Sequence, residues 1–377
     1  MGVKPFLPLP FILLFSVTGC APKAVSQSDL DTPEFHYRLG VRNLDSGDYA
    51  TALKAFQRSV DLDKKFARGW GGLGLTQAHM GNFKEGKSAV DKGVDLASKD
   101  PEIRVFRGRF WIANRGDKDW LERAEKDFER ALKLDPAHEG AEYYLGEAYF
   151  YGLEFQRAEA QFARVVDLKG ALAGKADDKW AVTQKIVRAR PGTAASKKIA
   201  IKSEITRADL AVLFAEELKL AEIFERMASP TGPATFQPPS AVAAVGQPVT
   251  PKDVLGNWAE PWIVEMVQLG VFEVDPSGNF QPVEPVTRVG YAMAVQRILS
   301  TATHDPSLDT RYFGESPSRF SDVPSSHFAY SAMALTSERG IMRADMMTGR
   351  FNPAGHVSGA DALLIIRELQ NSLRLTF

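Results

Sequence analysis

Apolar positions along this chain fall into three successive patterns, and each predicts a different kind of structure. The first is brief: a cationic lead at Lys4, then the run Phe6-Leu7-Pro8-Leu9-Pro10-Phe11-Ile12-Leu13-Leu14-Phe15, which stops at Ser16. That is the layout of a secretory signal over residues 1–19. A membrane-spanning helix takes roughly 20 apolar residues, and this run is shorter and holds two prolines near its start. From residue 33 to 172 small and aromatic residues recur in a register of 34 residues. Gly40 matches Gly74, Gly47 matches Gly81, Tyr49 matches Phe83, Ala52 matches Gly86, and Phe56 matches Val90. The register returns at Gly108, resumes after a four-residue insertion at Ala124, Phe128 and Ala131, and recurs at Gly146, Phe155, Ala158, Phe162 and Val165. Small residues at the Gly146 and Ala158 classes let two antiparallel helices approach closely, while the aromatic of the Phe162 class wedges between neighbours. The pattern predicts four helix pairs.

Beyond Gly174 the punctuation changes. One unit reads Asp253-Val254, Trp258, an apolar helical run to Leu269-Gly270, then Phe280-Gln281-Pro282 and Val286-Thr287-Arg288 opening a second helix. A second reads Asp322-Val323, Phe328, Arg339-Gly340, Phe351-Asn352-Pro353 and Val357-Ser358-Gly359. From aromatic to glycine the spacing is 12 in both, and from proline to Arg288 or Gly359 it is six in both. Thr287 and Thr206 suit helix N-caps, Gly270 and Gly340 suit the left-handed residue that stops a helix, and Pro282 and Pro353 stiffen the loop. Ile205-Thr206-Arg207-Ala208-Asp209, preceded by Trp180, marks a third, degenerate copy over 177–225, in which Trp180 lies 27 residues before Arg207 against 30 from Trp258 to Arg288. The Ala, Pro and Gly-rich run 228–248 becomes an insertion between copies, extended or irregular.

The 34-residue register, with Leu-Asp-Pro at 134–136 closing the third copy, resembles the tetratricopeptide repeat. The resemblance implies a curved solenoid whose concave face is lined by the first helix of each repeat. It places Tyr37, Val41 and Leu44, then Arg109 and Ile112, then Tyr143, Glu147 and Phe150 toward that face. Aromatic residues with a few charges suit a protein or peptide partner; the competing reading of each residue is packing against a neighbouring repeat. The insertion at 116–120 lengthens the third inter-helix turn and leaves that repeat's stacking the least defined by sequence.

The later units resemble the S-layer homology motif, three of which assemble around a pseudo-threefold axis. The expected fold is therefore mainly all-α: a solenoid over 33–172, then a pseudo-threefold helical domain over 177–370 with short irregular or extended loops. The resemblance further implies that grooves between motifs bind peptidoglycan or its attached anionic polysaccharide. Arg207 and Arg288 would grip the anion while Trp258 and Gly270 shape the groove. Arginine offers a planar fork of donors to a carboxylate, and an indole face covers the apolar side of a sugar. In the third copy Gly359 and Phe328 stand where arginine and tryptophan would, which puts that groove in doubt. The competing reading makes the arginines structural and Trp258 core.

Val17-Thr18-Gly19-Cys20 resembles the bacterial lipobox and implies acyl chains on Cys20, the only cysteine. With it lipidated no thiol remains for a disulfide, a zinc site or a nucleophile. Ala21, where an aspartate would retain an enterobacterial lipoprotein at the inner membrane, implies the outer membrane and a periplasmic face. Residues 20–32 then form a tether reaching roughly 40 Å at most.

Composition alters little: 44% hydrophobic and 25% charged residues are ordinary for globular chains, and a formal net charge of -1 gives no case for nucleic acid. His36, His79, His138, His304, His327 and His356 show no metal-ligand spacing, and no nucleophile elbow, phosphate loop or dinucleotide fingerprint occurs. The sequence predicts no enzyme, metal or cofactor. Two functions remain. One is a tether joining membrane, wall polymer and a recruited protein. The other is an assembly factor for an outer-membrane or export complex, with the second domain as spacer.

Overall fold

The computed structural model describes Ser26, residues 28–29, 31–228 and 250–376. The signal, Cys20, most of the tether and the Ala/Pro-rich insertion lie outside the described residues. Among the described residues the chain is mostly helical, with isolated β-bridges in place of strands. It divides into two compact units, one ending at Pro136 and one beginning at Ala137.

The first unit stacks six helices: α1 (Pro33–Asp45), α2 (Tyr49–Leu62), α3 (Ala67–His79), α4 (Phe83–Leu96), α5 (Pro101–Ala113) and α6 (Trp120–Leu134). Side-chain oxygens of Thr32, Asp48 and Asp100 cap α1, α2 and α5, and Gly47 and Gly81 take positive φ at the turns ending the first helix of their pairs. Small and aromatic positions meet as the register predicts. A Cβ at Gly40 would lie 2.7 Å from the Phe56 ring, and one at Gly108 would lie 2.5 Å from Phe128. The helices of a pair can therefore close only over glycine. The 116–120 insertion is absorbed in a six-residue turn, 114–119, where the other repeats use three residues, and Phe128 still meets Gly108. Arg107 of α5 bridges Asp91 on α4 (3.3 Å) and the buried Asp127 on α6 (2.7 Å), tying the second repeat to the third.

The second unit opens with the fourth helix pair, α7 (Glu139–Tyr151) and α8 (Phe155–Leu168), where a Cβ at Gly146 would lie 2.8 Å from Phe162. Helix α9 (Ala173–Ala189) packs on α8 and also on the last of the helices that follow: α10 (Ala194–Ala200), α11 (Arg207–Glu216), α12 (Leu220–Ala228), α13 (Glu260–Gln268), α14 (Arg288–Thr303), a 3-10 turn (Pro306–Asp309), α15 (Tyr330–Glu338) and α16 (Gly359–Thr376). The second helix of each motif packs on the first helix of the next: α11 on α13, α14 on α15, and α16 back on α9. In that cycle α9 and α11 take the places that α13 with α14, and α15 with α16, hold in the two regular motifs; the three helix pairs are called the first, second and third motifs.

At the hub, three buried residues exchange backbone hydrogen bonds in a closed ring. Ile205 N donates to Val357 O (2.9 Å), Val357 N to Val286 O (3.1 Å), and Val286 N to Ile205 O (2.8 Å). The ring closes a second time at its rim. Arg367 on α16 ion-pairs with the buried Glu217, which also accepts from Gly192 N (2.7 Å), and Arg367 donates to Ala189 O (2.6 Å).

Within each of the two regular motifs a carboxylate fixes the loop. Asp253 accepts from Phe280 N (2.7 Å) and Gln281 N (2.6 Å); Asp322 accepts from Phe351 N and Asn352 N, both at 2.8 Å. Spanning two successive amides drives the middle residue of Phe-x-Pro into the left-handed region, φ 62° at Gln281 and 56° at Asn352. Burial alone would raise the Asp322 carboxyl pKa, but the Phe351 and Asn352 amides outweigh it and hold the group below the usual range.

Gly108→Val should destabilise the chain by about 1–3 kcal/mol in a denaturant melt through overpacking, whereas Gly116→Ala, with nothing within 4 Å of its Cβ, should leave the midpoint unchanged. Because the Asp322 pKa is depressed in the folded state, its stabilisation is complete above the unfolded value of about 3.9 and disappears as pH falls through the folded value. Asp322→Asn should cost about 2 kcal/mol at neutral pH and flatten the acid side of the stability profile. An acid limb identical to the parent's would contradict this.

Candidate functional site

The loop geometry leaves each buried Phe-x-Pro aromatic with its carbonyl turned toward the preceding motif, where an arginine meets it. Arg207 Nε donates to Phe280 O (2.8 Å) and Nη2 to Glu273 O (3.1 Å), with the guanidinium 4.7 Å above the Phe280 ring. Arg288 repeats this one motif on: Nε to Phe351 O (2.7 Å), Nη2 to Arg343 O (2.9 Å), and 4.8 Å above Phe351. Burial pulls both guanidinium pKa values down, opposed at Arg207 by Glu284 and Asp253 and at Arg288 by Asp361 and Asp322; both stay charged.

The third junction is different. A Cβ at Gly359 would lie 1.8 Å from Ile199 O, so no side chain of any kind fits there. The first motif replaces the Phe-x-Pro loop with α10, and its main chain occupies the space an arginine would need.

A cleft of about 610 Å³ opens where the first and second motifs meet. Arg207 and Leu210 from α11 line one part, Val271-Phe272-Glu273 after α13 another, Glu284 to Thr287 a third, and Met293, Ala294, Arg297 and Ser300 of α14 a fourth, with Asp309 beyond. Of the four groove residues expected from sequence, the cleft contains Arg207. Gly270, at φ 72°, ends α13 just before the lining residue Val271. Trp258 stands outside the lining, 54% exposed, its ring 6.0 Å from that of Trp262. Trp262 in turn donates to Glu216 Oε1 (3.1 Å) at the end of α11. Arg288 sits at the next junction.

Four charged residues of the cleft escape a reading of the sequence, Glu273, Glu284, Arg297 and Asp309, and of these Arg297 and Glu273 form an ion pair. The signal is present in the helical spacing: Gly290, Met293, Arg297 and Ser300 fall on one face of α14.

The expected solenoid-face residues are mostly buried within their own unit. Tyr37 is 8% exposed and sits among Phe56, Phe66 and Phe106 at ring distances of 6.1, 5.8 and 6.2 Å, and burial pushes its hydroxyl pKa up. Val41 and Leu44 pack in the same cluster. Arg109 reaches Asp45 at 3.6 Å, and Ile112 is 8% exposed. In the second unit Tyr143 packs on Phe162, and Lys179 of α9 caps Phe150 (4.9 Å) while reaching Glu147 at 3.7 Å.

Family models match several stretches of this chain. The S-layer homology domain matches at residues 252–288 and 319–363, and tetratricopeptide repeat models match at 30–101 and 116–138. The first motif and the fourth helix pair lie outside the matched stretches. Among solved structures, a thermophilic TPR protein of Thermus thermophilus, TTC0263, is 17% identical with a TM-score of 0.37, covering 52% of this chain and 96% of that one. The MamA protein is 18% identical with a TM-score of 0.28, covering 54% and 98%. A search of curated proteins returns no match. By the family models the chain carries tetratricopeptide repeats, a protein-interaction fold, followed by S-layer homology motifs, a cell-surface-binding one, which together support an envelope scaffold.

Proposed function

We propose that this protein is a lipid-anchored tether. Acyl chains on Cys20 hold it to a membrane, in the periplasm-facing leaflet of the outer membrane by the Ala21 argument. Its S-layer homology ring binds peptidoglycan or the anionic polysaccharide attached to it, and its helical repeats recruit a protein. Two or three acyl chains hold almost irreversibly, each buried methylene contributing about 0.8 kcal/mol.

The observation that carries the wall-binding part is the repetition of one arginine geometry at two junctions, Arg207 and Arg288, with an open cleft beside the first. Trp258, exposed on the same motif, offers the flat apolar face that stacks on a sugar ring. Gly270 keeps the chain reversal after α13 tight and free of a side chain. For the repeats, the candidate recruiting residues are Arg109 with Tyr37 and Leu44 in the first unit, and Glu147 with Tyr143 and Phe150 in the second.

Replacing the arginines would break the ring as well as any binding site, because their donors hold main-chain carbonyls of the next motif. Trp258→Ala avoids that problem. It should weaken binding to purified sacculi about tenfold, equivalent to about 1.4 kcal/mol, with an unchanged melting midpoint. Cys20→Ser should move the chain from the membrane to the soluble fraction while leaving sacculus binding intact. Failure of the intact chain to bind sacculi would overturn the tether and leave the assembly-factor role.

A further inference from the structure

Resting on that wall-binding function, we infer that Arg297, gated by Glu273, is the residue that takes the ligand's carboxylate in the cleft, and that Arg207 is a positioning residue behind it.

The two arginines of the cleft are in different situations. Arg207 has Nε and Nη2 committed to the carbonyls of Phe280 and Glu273, and its guanidinium lies over an aromatic ring. Moving it toward a ligand would strand two carbonyls and open the junction between motifs. Arg297 projects from the middle of α14, with its side chain 37% exposed, and its hydrogen-bond partner is the carboxylate of Glu273. The Glu273 side chain is 76% exposed, so it loses little hydration or packing when it swings away.

An arginine paired with an exposed carboxylate can exchange that partner for an incoming one of the same chemistry. The fork geometry is retained, and the displaced Glu273 returns to water. The exchange selects for a carboxylate over an uncharged group. A neutral saccharide offers nothing that replaces Glu273 on the guanidinium, so in its presence the pair stays closed. Glu284 and Asp309 also line the cleft and add negative charge, so an anion that fails to engage Arg297 meets net repulsion.

The other junctions lack this arrangement. Nine residues after Arg207 stands Glu216, engaged by Trp262; nine after Gly359 stands Glu368. Arg297 is nine after Arg288, so only the second motif places a cation there. The first cleft is thereby singled out as the acid-selective one.

Carboxylates reach a bacterial wall from two sources, the stem peptides of peptidoglycan and acidic sugars of attached polymers. The test uses sacculi as isolated and sacculi stripped of phosphodiester-linked polymers with hydrofluoric acid. Binding is measured for the full chain and for Arg297→Gln and Glu273→Gln, with thermal melts confirming that both variants fold. Arg297→Gln should lose at least about tenfold in affinity, and Glu273→Gln, which removes the carboxylate charge that competes for Arg297, should gain several-fold. A response confined to untreated sacculi assigns the carboxylate to the attached polymer, and one kept after stripping assigns it to peptidoglycan; either supports Arg297 as the contact. If the parent chain binds and Arg297→Gln binds equally well on both substrates, this inference is wrong while the tether stands. If the parent chain binds neither, the tether itself falls.

Discussion

Three backbone hydrogen bonds, passed around Ile205, Val286 and Val357, are the constraint on which the second unit depends. They involve no side chain, so sequence is free to vary at these positions within the limits of burial, and all three are nearly or fully buried. Once the ring is closed, each second helix must start beside the loop of another motif. Its first amides then find acceptors there: Arg207 N donates to Glu284 O (2.9 Å), Arg288 N to Gly355 O (2.8 Å), and Gly359 N to Lys202 O (2.9 Å). Helix starts that would leave four amides orphaned are satisfied across the junction instead. The arginines follow from this placement, since the first residue of each helix is also the one nearest the neighbouring loop.

The same constraint explains why the threefold pattern is imperfect in the way it is. A ring of three has to admit the chain and let it out again, and both events happen at one junction. There α9 serves the fourth helix pair on one side and α16 on the other, and α10 replaces the loop that the other motifs use. The resulting main-chain approach at Ile199 excludes an arginine at 359, and the junction is held instead by Arg367 on the buried Glu217, with Gln370 Nε2 donating to Glu217 O (2.6 Å). Removing either charged partner would leave the other uncompensated in a poorly hydrated site. The missing arginine is thus a consequence of closure, with a different ion pair taking over the mechanical task.

Local repetition is legible in the sequence, and pairing across distance is not. The 34-residue register names the glycines and rings that touch, because the two sides of each contact lie on consecutive helices and recur in several copies. The degenerate first motif is visible mainly through Thr206-Arg207, and the cyclic helix packing supplies its partner α9, whose length of 17 residues hides the motif's usual spacing. The expected lining of the solenoid illustrates the limit. Inward-facing and inter-repeat positions both lie on the first helix of a pair and share its period, so sequence cannot separate Tyr37, packed among three rings, from a residue open to a ligand. Arg297 is hidden for a related reason: an isolated arginine on an amphipathic helix reads as solvated surface until the opposite wall, Glu273, is in place.

The N-terminal end of the repeats constrains the proposed anchor further. Asp31 is not a loose linker residue: its carboxylate accepts from His36 Nε2 (2.6 Å) and Arg58 Nε (3.1 Å), and Ser59 Oγ donates to Pro33 O (2.8 Å). The chain is therefore fastened onto α1 and α2 from Asp31 onward, and the leash between Cys20 and that point is eleven residues. Fully extended, it spans at most roughly 40 Å, about twice the length of a 13-residue helix such as α1 at roughly 20 Å. With Cys20 acylated, the first helix pair must lie within that radius of the bilayer. Under that anchor, a partner recruited next to this pair would be met at the membrane surface.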